Sequence, residues 1–290
     1  MKNIGFFLLT LLLLAATSCK KSDDSPTEQP RNVDKSANLQ ATGSSANDIL
    51  SNNEFENLLI EIAYVEGFRP TTSAMTDFVD YLKRHTFKEN IEVIYRPLPS
   101  SEKESLELQD IADLEAENRT AYNDDDTLAI YIYFADAPSD EDDEEDDLVT
   151  LGAVYRNTSM VIYESTVRRL ASFSNLISTA DVELSTLNHE FGHLFGLVNI
   201  GSAPVNDHED SEALNHCNVE GCLMRAELQF TRSSGKNDLS SVAKDGLKSN
   251  CNLNGKSVLL MLENNAAKGN VDIPPLDAEC ILDLRANGGR

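Results

Sequence analysis

Apolar residues along this chain follow two rhythms. Dense runs at Leu58–Val65 (LLIEIAYV), Ile91–Tyr95 (IEVIY) and Leu128–Phe134 (LAIYIYF) are rich in Ile, Val, Leu and Tyr, the composition of buried strands. Between them apolar positions recur every three or four residues, as one helical face requires. Met75, Phe78, Val79 and Leu82 do so after Pro70 and Thr71-Thr72, and Leu108, Ile111 and Leu114 do so within a predicted helix Ser105–Tyr122. Pro97 and Pro99 close the second strand, and Asn123–Asp126 ends the second helix. Leu148–Tyr155 and Ser159–Tyr163 predict two more strands around a tight Arg156-Asn157-Thr158 turn. Alternating strands and helices followed by consecutive strands predict an α/β (α+β) fold, with a mixed sheet carrying an antiparallel edge. Ser178 with Asp181 marks a helix start. Leu184, Leu187, Phe191, Leu194 and Val198 then form the apolar stripe of a long helix. A polar stretch over Gly201–Lys256 and a short apolar segment over Ser257–Leu262 follow. A last helix runs from Pro274 or Pro275 through Cys280 to about Leu284, stopped by Gly288-Gly289.

The first residues belong to another layer of organisation. Lys2 precedes a nearly continuous apolar run from Ile4 to Ala16, too short for a membrane span, and Ala16-Thr17-Ser18 leads into Cys19. This reads as a secretory signal peptide over residues 1–18. A Cys directly after small residues resembles a bacterial lipoprotein cleavage site, although Ala16 stands where Leu is usual. The resemblance implies that Cys19 becomes the first mature residue and carries lipid. The membrane would then be a partner through that anchor, and the chain would sit on the bacterial cell envelope, at the outer membrane or cell surface. Residues 19–47 are rich in Ser, Asp, Pro, Gln and Asn and predict a disordered tether. Residues 48–290 suit one domain with a real core.

Charge narrows the partners. A net charge of −25 and a pI near 4.4 argue against nucleic acid, whose phosphates need clustered Lys and Arg. The run Asp140–Asp147 (DEDDEEDD) reads as a solvated loop, since packed like charges repel. Beyond Cys19 the cysteines are Cys217, Cys222, Cys251 and Cys280. An even set in an exported chain favours disulfides, with a second, structural zinc site as the rival.

The chemistry concentrates in His189-Glu190-Phe191-Gly192-His193, an HExxH sequence. Two His at i and i+4 project from one helical face and can grip one zinc ion, with the intervening Glu placed as general base toward a zinc-bound water. Gly196 then extends the pattern to HExxHxxG, where a left-handed residue turns the chain back. Remaining candidates for a third metal ligand are His216, His208 and a Glu such as Glu212 or Glu227. His85, beside Lys83 and Arg84, reads as a surface residue.

His189–Gly196 (HEFGHLFG) resembles the metzincin zinc peptidases. His216-Cys217, four residues, then Cys222-Leu223-Met224 resembles the archaemetzincin branch and a group of bacterial lipoprotein metalloproteases close to it. The resemblance implies a metzincin-like mixed twisted sheet, an active-site helix, one catalytic zinc, and Met224 in a turn under the metal. It favours His216 as third ligand, with His208 as the alternative. Departures are clear: Asn199 stands where a metzincin has its third ligand, the segment Ile200–Asn215 intervenes, the later CxxC pair has no counterpart, and no Tyr follows Tyr163. The implied activity is a zinc-dependent metalloendopeptidase acting on a peptide or protein substrate, with Glu190 as general base. A strand among Leu148–Tyr163 would pair with the extended substrate. The alternative is a surface lipoprotein that binds zinc or a partner without catalysis. An accidental HExxH would predict no zinc.

Overall fold

The computed structural model describes residues 34–142, 148–226, 253–254, 259–260, 262–263 and 273–290. The predicted signal peptide, Cys19, Glu227, Cys251, and residues 143–147 of the acidic run lie outside them. Five strands form one sheet: β1 (Asn57–Val65), β2 (Asn90–Leu98), β3 (Thr127–Phe134), β5 (Gly152–Arg156) and β6 (Ser159–Ile162). Their order is β2-β1-β3-β6-β5, and all pairings are parallel except β5 with β6. The predicted α/β mixed sheet with an antiparallel edge is therefore the fold. A separate antiparallel pair joins β4 (Leu148–Val149) to β7 (Leu253–Asn254).

Strand alternation divides the core between the two faces of the sheet. Ile60, Ile62, Ile130, Ile132 and Phe134 face α1 (Ala46–Leu50), α2 (Thr72–His85) and α5 (Thr179–Leu194). Ala63, Tyr131 and Tyr133 face α3 (Leu108–Asn118). Thr71 caps α2 by accepting from the Ala74 N–H. The carboxylate of Glu183 accepts from the Thr71 N–H at 3.0 Å and from its hydroxyl, tying the start of α5 to the start of α2.

Several boundaries differ from the sequence reading, each for a physical reason. β2 runs through Pro97 because it is an edge strand, where a missing N–H breaks no ladder bond. α3 is shorter than Ser105–Tyr122, since Arg119 turns extended and its guanidinium goes into the interior. An unforeseen helix, α4 (Glu164–Ala171), follows β6 directly and packs Val167 and Leu170 into the core. Burial, and then the charge of Glu183, push the Glu164 carboxyl up to about 9. His85 is half-buried against the Tyr81 ring at 4.6 Å, and burial lowers it to about 4. In the acidic run, Asp142 is not simply solvated, because it accepts from the Thr150 N–H at 2.7 Å.

The tether expected up to residue 47 is ordered over its last part. Lys35–Asn38 forms a 3-10 turn, and Asn38 is fully buried, donating to Asn123 Oδ1 at 2.8 Å and Ala129 O at 3.2 Å. Asn157 donates back to Ala37 O at 2.8 Å. A polar composition read as solvated is here satisfied by internal hydrogen bonds, which composition does not reveal.

Arg119 anchors a buried polar network behind the sheet. It donates to Glu115 at 2.7 Å, Ala129 O at 2.8 Å and Ala121 O at 2.7 Å, while Arg156 and Ser159 donate to the same Glu115. Arg119→Ala leaves a buried carboxylate and two carbonyls short of donors. It is expected to cost about 3–5 kcal/mol, read as a lowered urea midpoint at unchanged slope.

Candidate active site

The site is built on the last two turns of α5. The helix begins with a reciprocal cap: the Ser178 hydroxyl accepts from the Asp181 N–H, and the Asp181 carboxylate accepts from the Ser178 N–H at 2.7 Å. Phe191 meets Phe78 edge-on at 5.3 Å, which seats one side of α5 on α2. At the far end Gly196 has φ +72, a conformation that favours Gly. The Asn287 amide donates to the two carbonyls just past the helix end, Phe195 O at 3.0 Å and Gly196 O at 3.2 Å. Asn287 follows α6 (Ala278–Ala286), so the C-terminal helix closes the end of the active helix.

After Gly196 the chain loops out and returns. Glu209 holds the loop by accepting from the Asn199 amide at 3.0 Å and from the Asn215 N–H at 2.6 Å. Asn215 has φ +66 and turns the backbone just before His216. His216 is clamped by Asp210 N–H donating to its carbonyl at 2.8 Å, and Cys217 N–H donates to Met224 O at 2.8 Å.

This return brings His216, and not His208, to the HExxH histidines. Ring centroids lie 5.0 Å apart for His189–His193, 5.3 Å for His189–His216 and 5.2 Å for His193–His216. One ring nitrogen from each falls within 4.8 Å of the others. All three are almost fully buried, and Glu190 is fully buried beside them. Asn199 and Glu212 are exposed, away from the cluster. His208 lies instead against Asp283 and Cys217. Met224 is fully buried, and a Cβ placed on Gly192 would meet its sulfur at 2.1 Å, so the Met packs directly against the HExxH turn.

These residues fit a divalent metal by their donor chemistry. His189 Nδ1 lies 2.8 Å from Leu223 O and His216 Nδ1 lies 3.0 Å from Leu214 O. A carbonyl only accepts, so each Nδ1 carries the proton and the lone pair sits on Nε2. Such outer hydrogen bonds orient ligating histidines. Burial pushes His189 down to about 3, with the His216 ring adding to the shift, and pushes His216 down to about 4. Burial also holds His193 well below its ordinary value, with both neighbouring rings adding to the effect. Three converging buried imidazoles form a candidate metal-binding group of the donor type that three-histidine zinc centres use.

Gly152 on β5 was not foreseen. A Cβ there would lie 2.8 Å from Glu190 Cγ and 3.1 Å from Val161 O, so the bare backbone of the edge strand makes the wall against which Glu190 rests. No sequence signal marks it, since the contact joins residues far apart in the chain. Gly152→Ala is expected to displace the Glu190 carboxylate and lower peptide cleavage by about 10²-fold. Metal content should be unchanged, which elemental analysis beside the rate measurement checks.

Cys217, Cys222 and Cys280 are buried thiols in this structure, and Cys251, the fourth of the even set, lies outside the described residues. Cys222 Sγ lies 3.6 Å from Cys280 Sγ, and the Cys217 thiol donates to Asp277 at 2.9 Å.

An α/β sheet carrying a helix with two histidines and a Glu, joined by a third histidine from the loop that follows, defines a candidate metallohydrolase site. The chain matches no known family profile and no curated protein. Among solved structures it is similar to a crystal structure of archaemetzincin from Methanopyrus kandleri, at 14% identity and a TM-score of 0.44. That similarity covers 81% of this chain and 96% of the other.

Proposed function

We propose that this protein is a zinc-dependent metalloendopeptidase, exported and held at a bacterial outer membrane or cell surface by lipid on Cys19. The observation that carries the catalytic reading is the joining of His216, from the loop, to His189 and His193 within 4.8 Å, where the helix also carries the buried carboxylate of Glu190. The apolar run and Cys19 in the sequence support export and anchoring. Among the described residues no helix is long and apolar enough to cross a membrane.

His189, His193 and His216 would hold one zinc ion. When bound, zinc supplies Lewis acidity, lowering the pKa of water to about 7 and polarising a carbonyl. Glu190 takes the proton of the attacking water on a carboxylate oxygen and delivers it to the amide nitrogen as the peptide bond breaks. The closed surroundings of Glu190, with Gly152 on one side, keep bulk water from competing for that proton. β5, at the sheet edge beside α5, offers backbone groups to an extended substrate.

The test is zinc analysis of the full chain, prepared without chelators, together with cleavage of a peptide library. The reading expects cleavage, and one equivalent of zinc lost in His193→Ala. Zinc lost in that variant but no cleavage by wild type would favour a zinc-binding surface lipoprotein. Equal zinc in wild type and His193→Ala would make the HExxH accidental.

A further inference from the structure

We propose that residues 37–47, the ordered end of the predicted tether, act as a positioning latch for His216. The inference rests on reading His189, His193 and His216 as one metal site. The segment is wedged between two places. On one side is the turn between β5 and β6. There the buried Asn157 side chain donates to Ala37 O and to Ser45 Oγ, at 2.8 Å each, and accepts from Gln40 N–H at 3.0 Å. Asn157 N–H adds a bond to Gln40 O at 3.0 Å. On the other side is the chain as it leaves α5. Gly43 and Gly201, left-handed at φ +78 and +73, meet backbone to backbone. A Cβ on Gly201 would lie 2.5 Å from the Gly43 carbonyl carbon, and one on Gly43 would run into the Ile200 carbonyl. The Ala46 Cβ lies 2.9 Å from where a Cβ on Gly196 would sit.

The stretch under the latch is the one that most needs holding. Gly196, Val198, Asn199 and Gly201 all have φ between +54 and +73. For a β-branched residue such as Val198 this backbone is an outlier. Such positions persist only where the surroundings over-determine them. The latch packs on Gly196, Ile200 and Gly201, the residues that flank Val198 and Asn199. From Asn199 the hold continues toward the third histidine. The Asn199 amide donates to Glu209 at 3.0 Å, and the other oxygen of Glu209 accepts from the Asn215 N–H at 2.6 Å. Asn215 directly precedes His216. Every link from Gly43 to His216 is thus a direct contact or a covalent bond.

With the latch seated, the left-handed stretch is fixed and the loop presents His216 to His189 and His193. With the latch displaced, that stretch loses its packing, and metal binding must order the loop at its own cost. A segment composed like a spacer therefore sets the affinity of the metal site. Such coupling is reciprocal, so bound metal in turn tightens the latch.

The experiment is hydrogen–deuterium exchange on the full chain, stripped of metal and then titrated with zinc. Zinc affinity is measured beside it by competition with a chromophoric chelator. The zinc event that belongs to the histidines is the one missing from His193→Ala. The Ser44 and Ala46 amides donate to Ala41 O and Gly43 O within the latch. In wild type they are expected to exchange about 10–100-fold more slowly once that event is saturated, and in His193→Ala to show no such change. Gly43→Ala is expected to weaken the same event by about 10–100-fold while its far-ultraviolet circular dichroism stays native. Exchange at these amides unchanged by zinc in wild type would overturn the latch, whether or not the variant folds. So would a Gly43→Ala protein with a lowered urea midpoint and wild-type zinc affinity, the mark of a purely structural segment. A wild type without the zinc event would overturn the metal reading itself, and this inference with it.

Discussion

Glu190→Gln is expected to lower kcat/KM for peptide hydrolysis by about 10²–10⁴-fold while zinc content and folding stay unchanged. Glu190 is fully buried on α5 between His189 and His193. Gln keeps the volume of the side chain and removes the capacity to hold a proton in transit. Two of the three imidazoles take their orientation from backbone carbonyls. His189 and His216 are aimed by the carbonyls of Leu223 and Leu214. Metal affinity and chemistry therefore separate in this variant. Steady-state cleavage read beside elemental analysis checks it. Full activity in Glu190→Gln would remove the general base from the mechanism, and loss of zinc would make Glu190 a structural support of the site.

His216→Ala carries the second large effect. Removing partners that merely orient a ligand costs about 10–100-fold in metal affinity, so removing the ligand itself is expected to cost more than about 10²-fold. The readout is the free zinc concentration that restores half-maximal cleavage to stripped protein. His208→Ala should move that concentration far less, because His208 is held by Asp283 at 2.8 Å and stands outside the His189–His193–His216 cluster. Equal shifts for the two variants would mean that the catalytic centre does not discriminate between them, contrary to the geometry.

The sheet was legible in the sequence because its signal is local. LLIEIAYV and LAIYIYF read as buried strands by their length and their Ile, Val and Tyr content, and β1 and β3 begin within a residue of the predicted starts. The α5 start was legible for the same reason, since Ser178 and Asp181 satisfy each other across one turn. His189, Glu190 and His193 needed only helical spacing to share a face. By contrast, α3 ended early where Arg119 found partners at Glu115 and Ala129, and residues 34–47 were ordered by Asn38 and Asn157 bonding into the sheet. Those partners are distant in sequence, so no periodicity announces them.

The third histidine shows the division most clearly. Resemblance favoured His216, but spacing alone left His208 and a Glu open, because Ile200–Asn215 could return to α5 at more than one point. The choice was made by Glu209 pinning Asn199 and Asn215, by Asn215 turning at φ +66, and by Asp283 drawing His208 away. The same holds for Gly152 against Glu190, Asn287 on the carbonyls just past α5, and Cys280 beside Cys222. The sequence by itself determined the strands, the helix Thr179–Leu194 and the shared face of His189, Glu190 and His193, since these depend on neighbours a few residues apart. Only the tertiary structure decided which distant groups join the His189–His193 face. Loop closure depends weakly on length, so the pairing rests on specific contacts that exist only once the chain is folded.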